Sequence, residues 1–518
     1  MPTTLRPTPT CPCCALNALA LWPAGLGADR RDPQRATAAT ASFVDQTPTR
    51  ASHHAQAGDA NTRDLFEDAA PRQWVVARGG DVLTMTAAGT LRGHDVLARD
   101  GVIAEVRPAS ETVPEGAVVV DAGGKYVIPG LTEIHTHPLL AHSAEIFALL
   151  MDPDVEADDL VLPYDLQMFL HLASGVTRIE IMAGTVEELA LREAVRAGRI
   201  RGPSMRVASP VIDGHPPMQS RRISWVVNDA DGGRHAARQI LERGYDFAKP
   251  YSRLGRPAFV GLAEECGRLG IPLMGHVPKA VGVEDAIALG QRGIAHAFEF
   301  FCYDPAERKR DPELLRRRAE LAARSGVTVQ ATLCAAHVFE YQCGHVAHDA
   351  RVGELLDPVL AYLMREDSPF LAAWRADPEL VEAGRDMVAL SLRTARTLVD
   401  AGVRVLPGTD LPGCNATTGY SLHEELRLLV EDVGLTPLDA LRAATVAAAD
   451  YHGESGCAGA VAPGQRSDFV VLDRDPSADV GATRLIDTVV IGRSVLRREA
   501  RERGLARVRA RYAAMPVR

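Results

Sequence analysis

Tyr126-Val127-Ile128-Pro129-Gly130-Leu131-Thr132-Glu133-Ile134-His135-Thr136-His137 runs one short β-like stretch into another that ends on two histidines two positions apart. Side chains alternate faces along a strand, so residues i and i+2 point the same way and both imidazoles can reach one ion. Working outward, short apolar runs of the same texture return at 175–181, 204–208, 245–249, 271–276, 293–296, 327–331 and 403–407, with helical stretches between most of them. Together with the quoted segment they make eight, the number of β/α repeats that closes a barrel. The expected fold class is α/β, with a (β/α)8 TIM-type barrel at its centre. No short repeat period runs through the chain, which excludes a solenoid.

A different texture flanks the barrel. Short runs at 74–77, 81–85, 95–98, 102–106 and 118–121, separated by Gly or Asp turns, read as strands, and similar runs return at 467–472 and 486–492. A small β-sandwich built from both chain ends is expected. The domain boundaries that follow are a flexible extension over 1–72, the composite β-sandwich over 73–128 and 461–500, the barrel over 129–460, and an Arg-rich tail over 501–518. The extension shows no sustained period and is rich in Ala, Thr, Pro, Asp and Arg. Its apolar stretch at 15–27 resembles a signal-peptide core, but only Arg6 precedes it, Pro23 interrupts it and no small-x-small site follows. Cys11, Cys13 and Cys14 read as unpaired thiols, because no second ligand pair follows at finger spacing.

Composition removes several function classes. The chain has 518 residues, 46% hydrophobic and 24% charged, which is globular and larger than one ordinary domain. Its net charge of -10 argues against a phosphate-backbone binder, so no nucleic-acid partner is expected. No apolar run is long enough to span a bilayer as a helix, so no membrane partner is expected either. The 9 scattered cysteines suit a reducing, cytoplasmic setting, with secretion kept as the alternative. The expected partner is a small-molecule substrate, and self-association into a homo-oligomer stays open. The charge runs at 307–310 and 316–318, and the arginines from 493 to 518, read as solvated helix surface. The segment 334–401 exceeds an ordinary βα connection and reads in part as a lid.

The residues ending the barrel strands carry the chemistry. The first strand ends on His135 and His137, the fourth on Lys249, the fifth on His276, the sixth on His296 and the eighth on Asp410. Barrel active sites assemble at the carboxyl ends of strands, so these side chains are expected to converge. A lone strand-end histidine is more often a hydrogen-bonded structural residue. The sequential fit of the whole set to strand ends points instead to a metal site, with zinc favoured by nitrogen-rich ligation. His215, ending the third strand in Asp213-Gly214-His215, is a candidate for binding substrate or a developing oxyanion, with a supporting structural role as the alternative. Tyr251 is a candidate for contacting a substrate carboxylate, with packing at the rim as the alternative. His423 opens a helix after the eighth strand and reads as helix support.

Residues 124–137, Asp246-Phe247-Ala248-Lys249, Gly275-His276 and Gly408-Thr409-Asp410 together resemble the amidohydrolase superfamily in its imidazolonepropionase-like branch. Supporting matches are Gly202-Pro203, Gly214-His215, 421–426, Ala443-Ala444-Thr445 and 463–468, so the resemblance spans about 73–492. It implies that His135, His137 and Asp410 bind a first metal and that His276 and His296 bind a second. Lys249, as N6-carboxylysine, would bridge both, making the cofactors two divalent ions, with Zn2+ favoured. Within the branch the pattern is similar to binuclear dipeptidases, prolidases and ochratoxin-type amidases. Imidazolonepropionase itself is implied to be mononuclear and to lack this lysine, so Lys249 points away from that activity. The implied reaction is hydrolysis of an amide-type C–N bond in a dipeptide or N-acyl amino acid, by a metal-bridging hydroxide with Asp410 as proton shuttle. The alternatives are a cyclic amide or lactone hydrolase on the same site, or a catalytically silent scaffold. Two departures from the pattern, Glu133 in place of Asp and Ala295 in place of Glu, remove no ligand and leave the substrate open.

Overall fold

The computed structural model describes residues 41–42, 62–110, 112–138, 162–219, 221–304, 306–342, 344, 355–358, 361, 365–411 and 417–515. The cysteine cluster at 11–14 and the apolar stretch at 15–27 lie outside the described residues, as does the middle of the expected lid.

Besides the two-residue strand Ala41–Ser42, which pairs antiparallel with Val226 and Val227, the strands of the described chain are β1 (Glu67–Asp68), β2 (Trp74–Leu83), β3 (Thr90–Arg99), β4 (Val102–Pro108), β5 (Val118–Asp121), β6 (Tyr126–Pro129), β7 (Leu131–Thr136), β8 (Val176–Ile181), β9 (Ser204–Asp213), β10 (Ser224–Val227), β11 (Phe247–Pro250), β12 (Met274–Gly275), β13 (Gly293–Ala295), β14 (Thr328–Gln330), β15 (Arg404–Leu406), β16 (Phe469–Leu472), β17 (Ile486–Ile491) and β18 (Ser494–Arg497). The helices that matter below are α1 (Tyr164–Ala173), α2 (Val186–Arg196), α3 (Ala230–Arg243), α4 (Arg256–Leu269), α5 (Val283–Ala288), α6 (Pro312–Arg324), α7 (Leu333–Gln342), α8 (Pro378–Asp400), α9 (Ser421–Leu428), α10 (Pro437–Ala443), α11 (Val446–Tyr451) and α12 (Arg498–Ala513).

The protein is α/β. Strands β7, β8, β9 and β11 pair in parallel, and so do β12, β13, β14 and β15. The ladders do not run round as one sheet. They meet at two seams marked by single parallel bridges, Ala248 to Leu273 and Thr136 to Leu411. Strand β10, which the sequence pattern did not reveal, pairs with β9 at Val211–Asp213, beyond the stretch where β8 pairs with it. The parallel strands are buried along nearly their whole length, as helix-covered sheets require. Helices form where local signals ask for them. A Thr185/Glu188 capping box opens α2, and Asp229 accepts from the Gly232 N–H to open α3, which ends on left-handed Gly244.

The second sheet differs from expectation. In place of a sandwich there is one mixed sheet in the order β1-β18-β17-β16-β6-β2-β3-β4, with β5 also pairing β2. The reason is β2, whose long edge takes β5 along Val75–Arg78 and β6 along Asp81–Val82, while its other edge carries β3. The ladder with β3 shifts register around Gly80, so the sheet bends and encloses a core of Val75, Val82, Val96, Val127, Phe469 and Val490. Both chain ends contribute strands, as the sequence indicated. The ordered chain reaches further back than Gln73: Leu65 and Ala69 are buried and β1 pairs with β18.

Two basic stretches are solvated surface only in part: Arg316, Arg317, Arg503 and Arg511 are exposed as expected. Arg318 is buried, donating to Glu284 Oε1 at 2.8 Å and to the Phe300 carbonyl at 2.6 Å. The Arg-rich tail forms α12, which buries Leu505, Val508 and Tyr512 while Arg507 grips Asp64 with both terminal nitrogens at 2.7 and 2.6 Å. Gly504 faces the Phe169 ring of α1 so closely that a Cβ there would stand 2.1 Å from Cζ. Gly504→Ala should therefore lower unfolding stability by about 1–3 kcal/mol, the usual cost of overpacking. Chemical denaturation reads this directly, and an unchanged midpoint would show that α12 is not seated against α1.

Candidate metal centre

Five strand ends deliver polar side chains to one buried place. His135 closes β7, His137 lies one residue beyond it, Lys249 sits in β11, His276 and His296 directly follow β12 and β13, and Asp410 follows β15. His135, His276, His296, Lys249 and Asp410 are all buried. His135 Nε2 and His137 Nε2 lie 3.0 and 3.1 Å from the same oxygen, Asp410 Oδ1. His276 Nε2 and His296 Nε2 are 3.1 Å apart. The rings of His135 and His296 stand 4.8 Å apart, which joins the two pairs into one cluster. One ligand atom from each of His135, His296 and Asp410 falls within 4.8 Å of the others.

Backbone geometry aims these groups. His296, Thr332 and Asp410 all adopt left-handed φ, at 67°, 49° and 57°, which non-glycine residues enter at an energetic cost. The Thr409 and Asp410 N–H groups both donate to the His135 carbonyl, at 3.0 and 2.9 Å, so the turn that presents Asp410 is tied to the strand that presents His135. Glycines leave room nearby. A Cβ on Gly408 would lie 2.6 Å from His135 Cβ, and one on Gly275 would lie 2.9 Å from Lys249 Cδ.

The site is dry, and that governs its charge. Burial, then the Lys249 ammonium, hold the His135 imidazole down to about 3, over the opposing pull of Asp410. Burial likewise holds His276 and His296 well below the usual imidazole range. Burial pushes the Asp410 carboxyl up, yet the facing imidazoles outweigh it and keep the group well below the usual carboxylate range. Three neutral imidazoles around an ionised carboxylate are the protonation states that metal ligation needs. The charge of Lys249 is felt at His135, His276, His296 and Glu299, so this lysine belongs to the cluster.

The donors also fit a cation. His135 Nδ1 lies 2.9 Å from the Gln330 side-chain oxygen, an acceptor, which leaves the Nε2 lone pair facing the Asp410 carboxylate. Among the described residues neither His135 Nε2 nor Asp410 Oδ2 finds a hydrogen-bond partner, although both are buried. Two electron-rich atoms 3.0 Å apart in a dry site repel each other unless a positive ion lies between or beside them. Thr332 gives its hydroxyl proton to the Ala331 carbonyl, so its oxygen accepts from His296 Nδ1 at 2.8 Å, and His296 Nε2 is likewise left with its lone pair.

The two residues expected at the substrate are placed differently. Tyr251 is buried, its ring 4.1 Å from that of His276, and its hydroxyl accepts from Gln219 Nε2 at 2.6 Å. His215 is exposed, and among the described residues no hydrogen bond or ion pair ties it to the cluster; its neighbour Asp213 is the buried one, accepting from the Met218 and Arg253 N–H groups. Glu133 takes the Thr409 hydroxyl proton, so this departure from the family pattern supports the Asp410 turn. His423 is buried at 2.9 Å from Thr483 Oγ1, a structural place. Four residues at the site were not singled out from sequence: Gln330, Thr332, Ser252 and Glu299. The signal for two of them was present, since Gln330 is polar in an apolar strand and Glu299 sits between two phenylalanines. Phe298, stacked on His296 at 4.5 Å, joins Phe339 and Trp374 in an apolar wall beside the centre, where α7 and α8 occupy the segment read as a lid.

The Amidohydrolase family model matches residues 126–495. Imidazolonepropionase of Deinococcus deserti is 28% identical over 415 residues, covering 77% of this chain and 91% of that protein. Among solved structures, bottromycin amidohydrolase superposes with a TM-score of 0.63 at 25% identity, covering 85% of this chain and 90% of its own. A putative prolidase from Bifidobacterium longum superposes with a TM-score of 0.61 at 22% identity, covering 85% of this chain and all of its own, a likeness of fold.

The depressed histidines make a pH prediction for the metal-free protein. His135 binds a proton near 6.5 when unfolded and near 3 when folded, so its neutral form stabilises the fold fully above pH 6.5 and that stability is lost as pH falls toward 3. Urea unfolding of the metal-free chain across this window should show a smaller pH slope for His135→Asn than for the unsubstituted protein. Equal slopes would mean that His135 is not held in a dry neutral site.

Proposed function

The chain belongs to the amidohydrolase family, and from that premise we propose that it hydrolyses an amide-type C–N bond in a dipeptide or N-acyl amino acid, using two divalent ions. The observation that carries this reading is the buried meeting of His135, His296 and Asp410 at strand ends. His135, His137 and Asp410 would hold one ion and His276 and His296 the other. Zn2+ is favoured by the imidazole-rich donor set. Divalent ions there supply Lewis acidity toward a carbonyl oxygen and toward water.

The chain's own residues do the rest. Asp410 Oδ2, buried and without a hydrogen-bond partner, is open to take the proton of the attacking water and hand it to the leaving nitrogen. The wall of Phe298, Phe339 and Trp374 keeps bulk water from one side. Lys249, buried and with its backbone N–H on Ser209 Oγ at 3.1 Å, would carry a carbamate. The ammonium would first lose one proton, and the neutral amine would then add carbon dioxide with loss of a second, so that a repelling cation would become an anionic ligand.

A second reading, a cyclic amide hydrolase, is favoured by the name of the 28%-identical relative. Turnover of dipeptides and N-acyl amino acids by the zinc-loaded protein supports the first reading, and turnover of lactams and imidazolones alone supports the second. Asp410→Asn and His276→Ala should abolish either activity while far-ultraviolet dichroism stays unchanged. Wild-type kcat/KM in a metal-depleted variant would end the metal assignment.

Lys249→Ala should bind one ion in place of two and lose most activity, with partial recovery in acetate. Reloading metal-free protein with zinc should go further with bicarbonate than without it. Two ions and full activity in Lys249→Ala would overturn the bridging carbamate, and one ion with full activity would leave a mononuclear site on His135, His137, His276 and Asp410.

A further inference from the structure

Beneath His135 the interior carries a line of buried polar side chains that the reaction does not use. Gln330 of β14 stands 2.9 Å from His135 Nδ1 through its Oε1. Its Nε2 donates to the Ile134 carbonyl at 2.9 Å and to Glu180 Oε1 of β8 at 3.0 Å. Glu180 Oε2 lies 2.8 Å from His452 Nε2, and His452 Nδ1 lies 3.3 Å from Arg178 Nη2, which donates to Glu454 Oε2 at 2.7 Å. Gln330, Glu180 and Arg178 are buried, so each hydrogen bond lost from the line leaves a polar group without water to replace it.

We infer that Gln330 is a positioning residue that sets the tautomer of His135, and that Glu180 sets the orientation of Gln330. The logic is one of donors and acceptors. A backbone carbonyl and a carboxylate can only accept, so the amide nitrogen of Gln330 must face Ile134 and Glu180. Its oxygen then faces His135, and only a protonated Nδ1 can meet it. Nε2 is left with its lone pair toward Asp410, as ligation requires. A primary amide does not pass a proton along, so the line orients His135 and does not conduct. Three side chains from different elements face the Glu180 carboxyl, Gln330 at 3.0 Å, His452 at 2.8 Å and Arg206 at 3.8 Å.

The consequence for metal binding rests on the proposed centre, but the tautomer does not, and the test separates them. Metal-free protein labelled with 15N-histidine reports the His135 tautomer, the resonance being assigned by its loss in His135→Asn. The unsubstituted chain should show Nδ1 protonated, and Gln330→Leu should shift His135 toward a mixture of tautomers. Zinc competition against a chelator should then show affinity at the His135 half of the centre falling about 10–100-fold in Gln330→Leu. The exchanged pair Gln330→Glu with Glu180→Gln keeps an acceptor on Nδ1 and a donor between the two positions but loses the donor to the Ile134 carbonyl, so it should keep the His135 tautomer while its melting point falls. A merely structural role would move the melting point in all these variants without this pattern. An unchanged His135 tautomer in Gln330→Leu would overturn the inference. The expected tautomers with no zinc bound by the unsubstituted chain would overturn the metal reading instead.

Discussion

The whole centre hangs on one backbone carbonyl. His135 C=O accepts from two successive N–H groups, those of Thr409 and Asp410, where the last parallel strand comes round to the first. Among the described residues no continuous ladder joins β15 to β7; the Thr136–Leu411 bridge and single bonds such as the Ile134 N–H to the Pro407 carbonyl at 3.2 Å span the seam. The same few residues thus join the two parallel sheets and bring the carboxylate against the imidazoles. Asp410 can hold its left-handed backbone because that carbonyl and the Glu133–Thr409 contact over-determine the turn.

Dryness then sorts the charges. In water, histidines this close to a carboxylate would gain protons at mild acidity. Here the loss of solvation wins for His135, His276 and His296, while for Asp410 the surrounding nitrogens win over burial. Glu299, buried 2.8 Å from His276 Nδ1, shows the other limit, since with fewer compensating donors its carboxyl is pushed up to about 8. The difference between these two carboxyls lies in their neighbours, as both are fully enclosed.

The mixed sheet and the terminal helix act on the centre from a distance. Strand β6 of the outer sheet runs directly into the strand carrying His135, and the N–H of Gly130 between them donates to the Asp468 carbonyl at 2.8 Å. Antiparallel pairing of β6 with β16 brings residues more than 300 positions apart to this junction. Helix α12 closes the far side through Arg501, which donates to the Ala173 carbonyl of α1 at 2.6 Å.

Much of this was legible in the chain itself. The strands of β7 to β15, apart from β10, follow from short apolar runs, because a strand buried on both faces needs nothing but apolar side chains and a punctuating turn. His135, His137, His276, His296 and Asp410 were legible because polar groups are rare at the ends of such runs and a barrel gathers those ends. Sequence alone could not say that Gln330 touches His135, since the pair is separated by 195 residues and the contact depends on which inward-facing side chains share a level. It could not show that β2 links these strands into one continuous sheet, because that turns on which neighbours share its edges. Nor could it tell that Arg318 and the α12 arginines lie over buried surface, since a charge run reads the same in water as against a neighbour. Local pattern determines which residues form elements and which of them carry chemistry. Register, edge partners and burial belong to the packed chain, and they decide which of those residues meet and in what state of charge.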